Sequence, residues 1–148
     1  MAGKPQVFKY EMPDSRKEKS IVPMCRTDIL RADMQVVRRG GENNLHAHTG
    51  NDGFWMVRGG RVRFYGDGDD LLAELGKHEG IAIPRGFRYW FESASEEPLE
   101  LLHVVAYAQN VKDERINYTP LKPWQDRLGL GGRPGVQGRR LDAPPPSR

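Results

Sequence analysis

The sequence predicts an all-β protein whose strands form an antiparallel sandwich or barrel. The middle of the chain consists of short apolar or alternating runs, and each run ends at glycine, proline or a polar cluster. These turn signals recur about every ten residues, which is typical of all-β sandwiches and barrels. The chain contains no internal repeat and no heptad pattern.

Seven runs are predicted as the strands of the body. In chain order they are Met34–Val37, Phe54–Val57, Arg61–Tyr65, Leu71–Leu75, Gly80–Ile83, Tyr89–Phe91 and Leu99–Tyr107. The fifth run stops at Pro84, because proline cannot donate to a strand ladder. The run at 71–75 can also be interpreted as a helical turn, but it is too short to change the fold class.

Segments on either side of the body are predicted to extend it. Gln6–Glu11 and Ile21–Thr27 are candidates for flanking strands. After the body, Asn117–Arg127 contains two prolines and is predicted to be an extended arm that packs Trp124 on the barrel. A short helix after Pro123 is the alternative, since proline is favoured in the first turn of a helix.

Length and composition divide the 148 residues into one domain with extensions. We expect residues 1–32 to form an N-terminal arm with flanking strands, 33–110 the barrel, and 111–128 an extension packed on it. Residues 129–148 hold five glycines and four prolines, and are predicted to be a disordered basic tail. That tail accounts for the whole net charge of +3, so the body is neutral and no nucleic-acid partner is expected.

Composition also restricts the setting of the protein. No apolar run approaches the ~20 residues that a membrane helix needs, so no membrane partner is expected. The first residues lack the apolar stretch of a secretory signal, and a cytoplasmic location is expected. The single cysteine, Cys25, excludes an intrachain disulfide and a cysteine-rich zinc site.

Two of the four histidines lie one residue apart, as His46-Ala47-His48. Alternate side chains of a strand point to the same face, so both imidazoles are predicted on one side of a sheet. Asp52 follows a turn at residues 49–51 and returns beside them if the chain reverses there. Two imidazoles and one carboxylate form a facial triad, which holds a divalent transition metal (Fe, Mn, Ni, Zn or Cu) and leaves positions open for ligands.

The glycines around these residues make the segment similar to the first motif of the cupin superfamily, G-x5-H-x-H-x3,4-E-x6-G. The spacing runs from Gly40 through the two histidines and Asp52 to Gly59. Asp52 stands in place of glutamate and can ligate directly or through water. The resemblance covers residues 33–107 and implies a small single-domain cupin. It further implies a double-stranded β-helix, jelly-roll-like, with a central pocket, and often a homodimer.

The second cupin motif, G-x5-P-x-G-x2-H-x3-N, resembles the segment from Pro84 to Tyr89. Tyr89 stands where the motif has its third histidine. A phenol has a pKa of about 10 and is a poor metal ligand, so Tyr89 is expected to donate a hydrogen bond or to act on substrate as an acid–base group. His103 can restore the missing imidazole if its strand pairs with residues 89–91. A structural core histidine is the alternative.

Other side chains are candidates for contact with substrate. Phe54, Met56 and Phe91 have strand spacing, and some of these core residues are expected to line a cavity. Arg63 and Arg88 can anchor a substrate carboxylate through two hydrogen bonds. Solvated positions on the outer face are the alternative for both arginines.

A metal-dependent enzyme acting on a small organic substrate is the first functional hypothesis. The resemblance implies an oxidoreductase, most often a dioxygenase. The substrate is expected to be a small organic molecule that bears a carboxylate or is aromatic. A redox-silent ion would favour isomerase, lyase or decarboxylase chemistry instead, and a non-catalytic ligand-binding or sensor cupin is the second hypothesis. A homodimer is expected because an all-β body must cover its edge strands, and the segments at 6–11 and 21–27 can pair across a two-fold axis.

Overall fold

Ten strands and one short helix are present in residues 3–127, the part of the chain that the computed structural model describes. The strands are β1 (Lys19–Arg26), β2 (Leu30–Val37), β3 (His46–His48), β4 (Asn51–Gly59), β5 (Val62–Tyr65), β6 (Leu71–Leu75), β7 (Gly80–Ile83), β8 (Trp90–Ser93), β9 (Leu99–Tyr107) and β10 (Arg115–Asn117). The helix α1 spans Pro123–Arg127, and a 3-10 turn at Asp67–Asp69 joins β5 to β6.

The strands form three antiparallel sheets. The largest has the order β1-β2-β9-β4-β7, the second has the order β6-β5-β8, and the third consists of β10 and β3. A bridge between His46 and Tyr89 links β3 to the start of β8. The predicted all-β, antiparallel class is confirmed. Within residues 3–127 the enclosure is built from separate sheets rather than from one closed ring of strands.

Apolar side chains fill the space between the five-stranded and the three-stranded sheet. Alternation on β5 turns Val62 and Phe64 inward, where both are fully buried, and leaves Arg63 outside. Phe91 on β8 is also fully buried, and its ring centroid lies 5.0 Å from that of Trp55 on β4. Truncating such a buried aromatic ring to alanine costs about 3–5 kcal/mol, so this cluster holds the two sheets together.

Most strand positions agree with the sequence patterns. β6, β7 and β9 have the predicted bounds, and β2, β4, β5 and β8 overlap their predicted runs. The predicted flanking strand at 21–27 occurs as β1, whereas residues 6–11 form no strand. That segment is held by side chains instead. Gln6 bonds the backbone of Arg26, and the Tyr10 hydroxyl donates to a Glu100 carboxylate oxygen at 2.7 Å.

The segment after β9 closes one side of the interior. β10 pairs with β3, with Arg115 opposite His48. Of the two alternatives for the residues after Pro123, the short helix is the one observed. Trp124 in this helix is buried, and its indole N–H donates to the Glu42 carbonyl at 2.6 Å.

The predicted basic tail at residues 129–148 lies outside the described residues. Between residues 3 and 127, no helix is long and apolar enough to cross a bilayer.

Candidate functional site

His46 and His48 lie side by side on β3, as the H-x-H spacing predicts. Their ring centroids are 5.1 Å apart, and the rings meet edge to face. His46 is buried, and its Nδ1 lies 2.7 Å from the Asn44 carbonyl oxygen. Because a carbonyl only accepts, the proton of His46 is on Nδ1 and the lone pair is on Nε2. Burial lowers the pKa of His46 well below its usual value, and the charge of Arg115 adds to this effect.

His48 has a ring nitrogen that makes no hydrogen bond. Its Nδ1 is buried, and no partner within residues 3–127 reaches it. Burial lowers the pKa of His48 to about 4, and the charge of Arg115 adds to this effect. A buried polar atom without a partner costs about 1–3 kcal/mol, and in native structures it is often explained by a ligand or an ordered water. His48 is therefore a candidate for ligand contact.

His103 is held on two sides of its ring. The imidazole stacks on the indole of Trp55, with ring centroids 3.7 Å apart and planes within 9°. Asp33 lies opposite His103 in the pairing of β2 with β9, and its Oδ1 is 3.5 Å from Nδ1. A carboxylate favours the proton on Nδ1 and leaves the lone pair on Nε2. The Gln35 side-chain nitrogen Nε2 lies 3.4 Å from the same Nδ1, and a 180° rotation of this amide group places its oxygen there as an acceptor for Nδ1–H.

The expected route of His103 into the interior is wrong, although the residue does face inward. β9 pairs with β2 and β4, not with the strand that contains residues 90–93. Alternation on β9 nevertheless buries Leu101, His103 and Val105 on one face. Burial lowers the pKa of His103, and Asp33 opposes that effect. The ring is therefore a neutral base near pH 7.

Tyr89, the residue immediately before β8, faces the same interior. Its ring centroid lies 4.5 Å from that of His46, and backbone hydrogen bonds of 2.9 and 3.1 Å join the two residues. Burial raises the pKa of Tyr89 to about 12, and the charge of Arg115 opposes that effect. The phenol therefore keeps its proton at neutral pH and can donate a hydrogen bond.

Asp52 does not join the two imidazoles. β4 alternates so that Asn51 and Gly53 are buried and Asp52 is exposed. On this outer face Oδ1 of Asp52 accepts a 2.8 Å hydrogen bond from the backbone N–H of Arg85. The chain reverses as expected, but the strand turns this carboxylate the other way. The second spacing that the cupin motif allows, with four residues after His48, ends at Gly53, which has no side chain to offer.

The same alternation separates the three candidate lining residues. Phe54 is 47% exposed on the outer face of β4, and Met56 shares that face. Phe91 is inward and belongs to the apolar core between the sheets. Only one of the three therefore faces the interior.

The contacts of Arg63 and Arg88, the two arginines predicted to anchor a substrate, do not include His46 or His48. Arg63 lies outside on β5, with Nε 2.6 Å from a Glu74 carboxylate oxygen. The guanidinium of Arg88 covers the ring of Tyr118, with its carbon 4.0 Å from the ring centroid. Both side chains already have partners.

Polar atoms without partners mark the interior, and sequence reasoning missed most of them. Within residues 3–127, five buried side-chain nitrogens or oxygens lack a hydrogen-bond partner. Four of the five belong to strands β2, β3 and β4, and they are Arg31 Nε, Asp33 Oδ1, His48 Nδ1 and Trp55 Nε1. Unpartnered atoms of this kind are often explained by a polar ligand or an ordered water in contact with them. Polar residues at alternate positions of β2 were the available signal in the sequence.

The donor set does not fit a resident metal ion of the facial-triad kind. In the described part of the chain, no three His, Cys, Asp or Glu side chains converge as metal ligands. His46 and His48 supply two imidazoles, but no carboxylate joins them to offset the charge of an ion. The largest charge effect on both rings comes from Arg115 and is positive, which disfavours a divalent cation.

Comparison with solved structures decides the fold. A protein with a double-stranded β-helix domain from Klebsiella pneumoniae has 17% identity and a TM-score of 0.59, over 66% of this chain and 80% of that chain. An RmlC-like cupin from Methanocaldococcus jannaschii has 13% identity and a TM-score of 0.59, over 72% of this chain and 94% of that chain. The fold is that of the cupins. No family model matches the sequence, and no curated protein is significantly similar to it.

One of the similar structures is an enzyme. A sugar phosphate isomerase of the cupin superfamily from Silicibacter pomeroyi has 18% identity and a TM-score of 0.51, over 61% of this chain and 57% of that chain. The expected resemblance to a small cupin is confirmed for the fold.

Proposed function

We propose that this cupin binds a small organic molecule in its interior and rearranges it by acid–base chemistry without a resident metal. The observation that carries the proposal is the Asp33–His103 pair, because it leaves Nε2 as the basic nitrogen of the ring. Nε2 faces Gly53, where a Cβ atom would lie 3.8 Å away, so no side chain of that residue covers it.

Each group in the proposed reaction has surroundings that suit its part. His103 takes a proton at Nε2 from a carbon next to a carbonyl group, and burial keeps its pKa low enough for it to be neutral beforehand. Asp33 orients the ring and stabilises the imidazolium that forms. The enolate oxygen accepts a hydrogen bond from Tyr89, whose pKa burial raises to about 12. The proton then returns to the former carbonyl carbon while the hydroxyl proton of the neighbouring carbon moves to the enolate oxygen, so a hydroxyaldehyde and a hydroxyketone interconvert without net redox change.

Similarity to the sugar phosphate isomerase of the cupin superfamily supports a redox-neutral reaction. The support is an analogy at the level of the fold, because one fold hosts many chemistries. A lyase that begins with the same proton transfer uses the same base and donor and belongs to the same proposal. A decarboxylase would form its enolate by loss of carbon dioxide, use only Tyr89 as the hydrogen-bond donor, and take the proton for carbon from water.

An oxidoreductase or dioxygenase is the second candidate. It is favoured by the contact of 2.7 Å between His46 Nδ1 and the Asn44 carbonyl, since metal-ligating histidines commonly use their other nitrogen in this way. It requires a metal ion, which two imidazoles next to the positive charge of Arg115 would hold only weakly. A ligand-binding or sensor cupin would use the same interior without turnover.

Exchange of carbon-bound hydrogen in metal-free protein tests the proposal. The protein is treated with EDTA and incubated in D2O with 2-oxo acids and ketoses, and NMR follows loss of the proton next to the carbonyl. We expect exchange in the wild type and a decrease of about 100-fold or more in His103→Gln, the usual effect of removing a general base.

His78→Gln is the matched control, because His78 is an exposed histidine in the turn before β7. Exchange that requires added iron or manganese and survives His103→Gln would contradict the proposal and favour the second candidate. Saturable binding without exchange of any compound would favour the sensor.

We also propose a homodimer that forms through the edge strand β1. β1 is an edge of the five-stranded sheet, and its Ile21 is 43% exposed. A second copy paired with β1 would cover both the edge and this side chain. Sedimentation velocity at micromolar concentration should give a dimer that Ile21→Lys dissociates, and a wild-type monomer would contradict the proposal.

A further inference from the structure

Arg115 is half-buried, and its guanidinium has no carboxylate partner within residues 3–127. Its Nε donates to Asn117 Oδ1 at 3.0 Å, and its Nη2 donates to Asn44 Oδ1 at 2.5 Å. Both acceptors are neutral amides, so the charge is not offset. Burial lowers the pKa of Arg115 to about 10. A guanidinium has five N–H donors, and three remain after these two bonds.

His48 lies next to Arg115 on the neighbouring strand. The pairing of β10 with β3 places the two residues directly opposite, and opposite residues project from the same face of a sheet. Arg115 is the largest charge acting on the pKa of His48, and Arg31 is a further positive charge acting on it. Nδ1 of His48 and Nε of Arg31 are both buried and without a hydrogen-bond partner within residues 3–127.

Two acidic side chains lie on this side of the interior, and both have donors or cations beside them. Asp33 Oδ1 lies 3.5 Å from Nδ1 of His103 without forming a hydrogen bond, and Oδ2 lies 3.8 Å from Nε of Arg31. Asp113 accepts a 3.1 Å hydrogen bond from the backbone N–H of Gly50 and a second, of 2.8 Å, from the side-chain amide of Asn51. An unpaired, partly buried charge is costly, and a carboxylate or phosphate beside Arg115 would offset it. The surroundings of Arg115 are therefore suited to an anion.

We propose that Arg115 and His48 together bind the anionic group of the ligand, a carboxylate or a phosphate. Its oxygens accept hydrogen bonds from the free N–H donors of Arg115 and from Nδ1–H of His48, which gives the unpartnered nitrogen a partner. The inference rests on the proposed function, because the anion belongs to the molecule bound in that interior. It names the substrate class as organic acids or phosphate esters, and it gives to Arg115 the part that the sequence analysis gave to Arg63 and Arg88.

Pairs of compounds that differ in charge test this site. Isothermal titration calorimetry at constant ionic strength compares pyruvate with hydroxyacetone and fructose 6-phosphate with fructose. We expect at least one of the two anions to bind, and its neutral counterpart to bind about 10- to 100-fold more weakly, as the loss of hydrogen bonds to a charged group implies. The pyruvate arm distinguishes recognition of a carboxylate from recognition of a phosphate.

Variants assign the effect to the two residues. Arg115→Lys keeps the charge but loses the planar fork, and should weaken binding of the anion about tenfold or more. Arg115 also bonds two asparagines, so His48→Leu is the second variant. No described residue bonds Nδ1 of His48, and this variant should fold and lose affinity for the anion about tenfold. Arg63→Lys, at an exposed arginine, is the matched control and should bind as the wild type does.

Two results would overturn the inference. One is equal binding of an anion and its neutral counterpart, or binding of neither anion. The other is unchanged affinity for the anion in folded Arg115→Lys and His48→Leu. Failure of the proposed function looks different, because the anions would then bind through Arg115 while no carbon-bound hydrogen exchanges. Exchange that is as fast in hydroxyacetone as in pyruvate would retain the proposed function and remove this inference.

Discussion

The imidazole of His103 lies flat on the indole of Trp55, with 3.7 Å between their centroids. One face of the imidazole is thus covered, and Nδ1 lies opposite Asp33. The nitrogen that remains is Nε2, on the side of Gly53. Because Trp55 also belongs to the apolar core, the orientation of this base is coupled to the packing of the two sheets.

Gly53→Ala tests the space beside that nitrogen. The added Cβ would lie 3.3 Å from Trp55 Nε1 and 3.8 Å from His103 Nε2, so it fits after a small shift. We expect the free energy of unfolding to change by less than about 1 kcal/mol, and deuterium exchange to slow about tenfold or more, because the substrate is displaced from the base. Gly59→Ala is the matched control on the same strand. Wild-type exchange in folded Gly53→Ala would contradict the assignment of this space to substrate.

Gly53→Glu should complete a metal site around the two imidazoles of β3. Position 53 faces inward and is separated from His48 by four residues, so a carboxylate there would complete the two imidazoles. We expect elemental analysis after dialysis against Ni²⁺ to find about one ion per chain in this variant and far less in the wild type. His46→Ala in the Gly53→Glu background should abolish the gain. A full equivalent of nickel bound by wild-type histidines would refute the argument from the donor set.

Three buried imidazoles should make the protein sensitive to acid. Burial lowers the pKa of His46, His48 and His103 from about 6.5 in the unfolded chain, and that of His48 to about 4. The unfolded chain therefore binds protons at a higher pH than the folded chain, and stability is lost as the pH falls from about 6.5 towards 4. His48 alone contributes about 3 kcal/mol over this window. Urea unfolding at pH 7, 5.5 and 4.5 measures this loss of stability, which should be smaller in His48→Leu. An equal dependence of the free energy of unfolding on pH in the wild type and the variant would contradict the prediction.

Lys19→Met should stabilise the protein. The ammonium of Lys19 lies over the rings of Phe91 and Trp124, 4.6 and 4.8 Å from their centroids, and burial lowers its pKa to about 7. The unfolded chain holds this proton up to about pH 10.5, so the cost of burying the charge is largest below pH 7 and declines as the pH rises. We expect the free energy of unfolding at pH 6 to increase by about 1–4 kcal/mol. Lys77→Met is the exposed control, and a loss of stability in Lys19→Met would mean that the ring contacts outweigh burial.

Turn chemistry made the strands predictable. Glycine and proline limit where a strand can run, and β6, β7 and β9 therefore have the bounds that the sequence predicts. The H-x-H spacing likewise determines that two imidazoles share a face. These are local properties, and local sequence carries them.

The direction of side chains after a turn was not predictable in the same way. A shift of one residue in the turn before β4 exchanges the two faces of the strand, and this is why Asp52 is outside and Gly53 inside. Contacts between residues that are distant in sequence were also not predictable. Nothing in the three residues of β10 marks a strand, and only its pairing with β3 brings Arg115 to His48.

The pairing of β10 with β3 separates the scaffold from the residue on which the anion proposal depends. His103 and the apolar cluster between the sheets belong to the body, whereas Arg115 comes from a short segment that follows β9. Under that proposal, replacing the segment would change which anions bind and would leave the apolar cluster unchanged. Grafting residues 111–122 onto another protein of this fold tests whether selectivity moves with them.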